Sequence, residues 1–224
     1  MYQEGVSLAE WHKGIPNGDD VQIVALKTKI DEELSEKKVE VIAETESIVA
    51  LEISYPNFED YFDFSECRNL LDKHATGDWI FHIDSDEKLA NDIQDFWITL
   101  KAITQTESSA AWVSIAGISF EAVDSLKRAK RYNIAALRLY KNKQGFKWHG
   151  ICHETLDVGE AAVLCESEIL LLHHGYAIEN EELLEKAERN AKLLVREYQR
   201  NKSERNWSYL IETFSLIKNK RGMQ

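Results

Sequence analysis

In GDWIFHIDSDEKL, residues 77–89, a hydrophobic run from Trp79 to Ile83 leads straight into three acids, Asp84, Asp86 and Glu87. A buried strand gains nothing from carboxylates at its carboxyl end unless a positive charge meets them. Two carboxylates one residue apart, just past a strand, can converge on one divalent cation. Hard cations such as Mg2+ and Mn2+ take oxygen ligands and bridge to phosphate oxygens. Asp-x-Asp is also a common chance pattern, and the same acids would suit the positive end of a following helix. On these residues alone both readings stand.

The elements around the acids decide where they sit. VQIVALKTK (21–29), VEVIAE (39–44) and IVALEIS (48–54) predict strands, with a short charged helical segment at 30–38. FSECRNLLDKHAT (64–76) has Leu70, Leu71 and Ala75 at helical spacing, with Ser65 as the expected cap and Gly77 as the stop. Residues 89–105 read as an amphipathic helix, with Ile93, Phe96, Trp97, Leu100 and Ile103 on one face. Strands are expected at 110–120, 134–142 and 168–177. From 180 onward two apolar stripes separated by a polar break at 200–206 predict a helical hairpin. Strands alternating with helices give an α/β fold, in which ligands gather at the carboxyl ends of strands. Asp84 and Asp86 stand at such an end.

With 39 acidic and 27 basic residues, the net charge of −12 repels polyanions, so non-specific nucleic-acid binding is not expected. The one basic run, LKRAKRYN (126–133), reads as a solvated helix face or loop. Cys67, Cys152 and Cys165 lie far apart without a C-x-x-C pair, which suits a reducing compartment. The amino terminus has no signal-peptide pattern, and AAWVSIAGISF (110–120) is too short to span a bilayer. A cytoplasmic location is the expectation.

FSECRNLLDKHATGDWIFHIDSDEKL, RLYKNKQGFKWHGICHETL (138–156) and LLHHGY (171–176) follow one another in an order that resembles family-2 glycosyltransferases with the GT-A fold. In that family a Ser-Glu-Ala-Arg-Asn helix, an Ala-Thr-Gly-Asp turn and Asp-x-Asp-Glu precede Gly-x-x-His-Glu and His-Tyr-Gly-Tyr. The resemblance implies a GT-A type mixed sheet flanked by helices over residues 1–178, with an atypical first 60 or so. Residues 179–224 follow as a helical hairpin similar to one tetratricopeptide unit. It further implies Mn2+ or Mg2+, a nucleotide-sugar donor (a uridine diphosphate sugar) and a single inverting displacement on an acceptor hydroxyl. By position, Arg68 would contact the donor nucleotide, Asp84 the ribose and metal-bound water, and Asp86 and His173 the metal. Glu154 would be the general base. Trp148 and His153 stand as acceptor-side candidates, each with a competing reading as an ordinary core residue.

The chain departs from the family at its start. The first strand lacks the Lys-Asn-Glu that normally follows it, and Glu44 and Glu46 stand where an aspartate and a glycine are expected. The space for a helix between the second and third strands is nearly absent. Either Glu44 substitutes at the nucleotide base in a shortened donor half, or the domain is a catalytically silent binding or scaffolding module that meets a protein partner through its C-terminal helices. A metal-dependent phosphohydrolase is a third reading, without the accompanying lysine or threonine motif.

Overall fold

Short runs of β-branched residues bounded by charged punctuation form the first strands: β1 (Val21–Ile30), β2 (Lys38–Glu44) and β3 (Ile48–Tyr55). The computed structural model describes residues 21–30, 36–44, 48–55, 62–84, 86–123, 126–173 and 180–222. Helix α1 (Phe64–His74), strand β4 (Trp79–Ile83), the three-residue β5 (Glu87–Leu89) and helix α2 (Ile93–Thr104) come next. Strands β6 (Ala110–Val123) and β7 (Leu126–Lys141) make a long hairpin. The small ribbon β8 (Lys147–His149) and β9 (Thr155–Asp157) precedes β10 (Leu164–His173). Helices α3 (Asn180–Arg200) and α4 (Glu204–Arg221) end the described chain.

Eight strands form one mixed sheet in the order β2-β3-β1-β4-β7-β6-β10-β5. β1 is parallel to β3 and β4, and β10 is parallel to β6; the remaining neighbours are antiparallel. The protein is therefore a mixed α/β structure, with four helices among the described residues.

All five residues of β4 are buried, and their alternation assigns two faces. Trp79, Phe81 and Ile83 pack with Phe96, Leu100 and Ile103 of α2. Ile80 packs with Leu71 of α1 and Ala75 just after it, together with Trp148 and Leu156 from the small ribbon. His82 shares that second face and is 1% exposed, so its polar ring needs partners from α1. A third cluster joins Ile53, Phe62, Cys67 and Ile151 to Leu193, Leu194 and Leu210 of the helical hairpin. Burying Leu193 and Leu194 fully contributes about 1.5–3 kcal/mol each, so this hairpin is bound firmly to the sheet.

Several local expectations change. The cap of α1 is Asp63, not Ser65: its extended backbone lets its carboxylate accept from the Glu66 amide at 3.1 Å, while Ser65 donates to the same carboxylate. The helix stops at His74, before Gly77, and Asn142 takes over the carbonyls of Ala75 and Gly77 at 2.9 and 2.8 Å. Helix α2 begins only at Ile93, because residues 87–89 pair with β10 and Asp92 caps the helix by accepting from the Gln94 amide. The basic run 126–133 is neither helix nor loop but strand β7, paired along its length with β6. Of the charged segment at 30–38, residues 31–35 lie outside the described residues, as do 174–177 of the expected 168–177 strand. The hairpin expected beyond residue 180 is present. Among the described residues no helix is long and apolar enough to cross a membrane, and the three cysteines are free thiols.

Candidate active site

The site is built at the carboxyl end of β4, on the face that α1 covers. Arg68 sits mid-helix on α1 with only 5% of its surface exposed, and a buried guanidinium requires acids around it. Its Nε donates to Glu154 Oε1 at 2.7 Å, and its Nη2 donates to both Asp84 oxygens at 2.8 and 3.0 Å. One arginine thus ties the carboxylate after β4 to the carboxylate of the 150–154 loop. Its guanidinium also lies 4.8 Å over the Trp148 ring, which fixes its plane.

A second arginine meets the same carboxylate. Arg138 of β7 donates from Nη2 to Asp84 at 2.8 Å and to Glu87 at 3.2 Å. Glu87 in turn accepts from the Asp84 backbone amide at 2.9 Å, closing a ring around the turn. Burial alone would raise the Asp84 pKa, but Arg138 and Arg68 overcome it and hold the carboxyl far below the usual range. Glu87 moves the other way, raised by burial and by its neighbour Asp84 despite Arg138. Burial works against the charge of Arg68, yet Asp84 and Glu154 keep it firmly protonated.

Asp86 faces a different set. His173 Nε2 lies 3.0 Å from its Oδ2, and Lys186 Nζ of α3 lies 3.9 Å from the same oxygen. Burial raises this carboxyl, but the bond and charge of His173 prevail and hold it below its ordinary value. Lys186 is pulled down by burial, against the attraction of Asp86. In the sheet, His173 pairs directly with Glu87 across β10 and β5, so the two halves of the turn are joined through the backbone as well.

Behind these groups is a buried polar support. Asp72 accepts from the Tyr140 hydroxyl at 2.8 Å and lies 2.7 Å from His82 Nε2; Trp148 Nε1 donates to the Tyr140 hydroxyl at 3.0 Å. Asn69 pairs both ways with the Trp148 backbone at 2.9 Å, as a neighbouring strand would. Burial pushes the His82 pKa down, opposed by Asp72, so the ring is held neutral.

The 150–154 loop carries Glu154 through a tight path. Gly150 has φ 104 and His153 has φ 56, both in the left-handed region. The hairpin helices hold this path. Glu197 of α3, 8% exposed, accepts from the Ile151 amide at 2.7 Å and from Asn206 at 3.2 Å, and Arg205 of α4 donates to the His153 carbonyl at 3.0 Å. The His153 ring stacks on Tyr209, with centroids 4.0 Å apart. Cys152 lies buried beside Glu154, and burial pushes its thiol up to about 12, which leaves it inert.

Of the residues singled out by sequence, Arg68, Asp84, Asp86, Glu154 and His173 come together. Glu44 does not. The short connection between β2 and β3 makes them an antiparallel pair, with Glu44 opposite Val49, and Val49 lies level with Val24 of β1 and His82 of β4. That puts Glu44 three strand spacings from β4, roughly 14 Å across the sheet from the turn that carries Asp84. Trp148 is 4% exposed beneath Arg68, so it is a platform for the guanidinium and not an acceptor surface. His153 is half-buried and lines a cavity against the hairpin. Sequence reasoning gave no role to Arg138 or Lys186, and took Glu87 only as a third member of the acidic run. Arg138 gave a signal: a lone arginine between Leu137 and Leu139 in a strand destined for the core has to find acids.

The arrangement holds one carboxylate between two guanidiniums, presents a carboxylate–imidazole pair to a cation, and keeps a third carboxylate one arginine away. Compared with known proteins, the chain matches no family model, and no curated protein resembles it closely enough to count as a relative.

Proposed function

We propose that the protein is a metal-dependent, inverting glycosyltransferase with a GT-A type fold, moving a sugar from a uridine diphosphate sugar to an acceptor hydroxyl. One observation carries the reading. Five residues drawn from four distant segments by their resemblance to that family meet at a strand's carboxyl end in two adjoining clusters, Arg68 with Asp84 and Glu154, and Asp86 with His173, which the backbone pairing of His173 with Glu87 sets side by side.

Asp86 and His173 would hold the metal. Asp86 Oδ2 and His173 Nε2 lie 3.0 Å apart, an oxygen and an imidazole nitrogen that a divalent metal ion accepts. When bound, Mn2+ or Mg2+ supplies positive charge against the departing diphosphate. Arg68, which lies between Asp84 and Glu154, would face that same diphosphate. Its bond to Glu154 Oε1 leaves Oε2 to take the acceptor proton as the acceptor hydroxyl attacks the anomeric carbon. Asp84, fixed by two arginines, would accept from a ribose hydroxyl.

The same pairing favours a second reading, a silent GT-A-like binding module, because the protein's own cations already saturate Asp84. Calorimetry with uridine diphosphate, with and without Mn2+, decides between them. Metal-dependent binding lost in Asp86→Ala supports the enzyme, and no binding at all supports the module. Release of uridine diphosphate from a donor should fall by about 10²–10⁴-fold in Glu154→Gln while binding persists. Normal turnover in that variant would remove Glu154 as the base.

A further inference from the structure

Beside His153, the residue before Glu154, the helical hairpin leaves a cavity of about 210 Å³ that the donor chemistry above does not use. Leu183 and Ala187 of α3 and Leu216 of α4 give it an apolar floor. Its polar wall comes from His153, Lys186, Asn190, Tyr209, Glu212 and Thr213. Two of these tie it to the candidate active site: Lys186 reaches Asp86, and His153 is the neighbour of Glu154.

The ring faces in the wall are already taken. Tyr209 is stacked by His153 on one contact and approached by the Arg205 guanidinium, 5.4 Å from its centroid, on another. What the cavity offers a ligand is therefore not an aromatic slot but polar edges. The Tyr209 hydroxyl, the Glu212 carboxylate and the Thr213 hydroxyl make no hydrogen bond among the described residues. An apolar floor below a rim of mixed donors and acceptors matches a ligand with one C–H face and hydroxyls around its edge. At about 210 Å³ the cavity falls below the roughly 300 Å³ at which sites for drug-sized ligands begin, so it holds one small ring.

We propose that this cavity is the acceptor subsite and that it binds a single pyranose ring, with Glu212 and Tyr209 reading its hydroxyls; as an acceptor site it rests on the glycosyltransferase reading. The ring's reacting hydroxyl would point past His153 toward Glu154. The donor's nucleotide, by contrast, belongs on the Arg68 and Asp84 side.

The test uses the full chain without donor or metal. Methyl glycosides of glucose, galactose, mannose and N-acetylglucosamine are the probes, followed by saturation-transfer NMR and titration. At least one should bind, at least tenfold more weakly in Thr213→Trp, which fills the cavity, and at least threefold more weakly in Glu212→Ala. Glu212 is exposed, so that second variant answers even if the first fails to fold. No binding by any of the four, or binding that Glu212→Ala leaves unchanged, overturns the proposal. The uridine diphosphate titration of the unaltered protein fails or succeeds separately. Sugar binding without it would keep the cavity as a pyranose site and remove the transferase reading.

Discussion

Two neighbouring regions handle charge in opposite ways. At the end of β4, Arg68, Arg138, Asp84, Glu87 and Glu154 are closed into one ion-pair network, with Arg138 Nη1 buried and without a hydrogen-bond partner among the described residues. Across the 150–154 loop, the hairpin cavity presents Tyr209, Glu212 and Thr213 with their polar atoms unspent. The first region is fixed in advance by the sheet and α1. The second is shaped by side chains on two helices and keeps its polar edges open to solvent. Preorganised charge suits a group that must be held in one geometry, whereas open edges suit recognition of hydroxyls.

Breaking the closed region should cost the most. Arg68→Ala leaves Asp84 and Glu154 without their shared cation and should destabilise the fold by about 3–5 kcal/mol in urea unfolding. Arg68→Lys should recover only part of this, since one ammonium cannot reproduce the fork that serves two carboxylates.

The link between the regions comes next. Glu197→Ala strips the Ile151 amide of its acceptor inside the protein and should cost about 1–3 kcal/mol by the same measurement. It should also loosen the loop that carries Glu154, visible as faster amide exchange at Ile151.

Acid sharpens the comparison further. His82 has its pKa lowered by burial, so its contribution to stability is complete above the unfolded value of about 6.5 and is lost as pH falls through the folded value. Unfolding free energy should decline below about pH 6.5 by no more than about 1.4 kcal/mol per pH unit for this one proton, and His82→Gln should flatten that slope. Asp84, also depressed, would add its loss only below the ordinary carboxylate range.

The smallest effect belongs at the rim. Lys186 is 3.9 Å from an Asp86 whose side chain is 40% exposed, so Lys186→Met should change stability by less than about 1 kcal/mol. A larger loss would mean that the open region is as tightly tied as the closed one.

What the sequence made legible was local. Trp79–Ile83 with its trailing acids, the α1 periodicity and the terminal hairpin each rest on near neighbours in the chain, and each is present. The errors fall where pairing across the sheet overrules local pattern. Glu44 ends a strand that reads like its neighbours, but that strand takes the sheet edge beyond β3 and β1, so the residue stands three strands from β4. Lys186 lies at the flank of an apolar stripe, where nothing in spacing distinguishes a solvated lysine from one facing Asp86. Glu87 looked like a third member of an acidic run, yet it is 6% exposed and belongs to a strand.

The placement of β5 has a mechanical consequence. Ile83 ends β4 and Glu87 opens β5, so four Cα steps, at most about 14 Å, separate them. In the sheet these strands are four positions apart, about 19 Å if it were flat. The sheet is forced to roll until its edge swings back over its middle, with α2 filling the trough. The acid-bearing turn thus acts as a drawstring, and inserting two glycines after Asp86 would let the roll slacken.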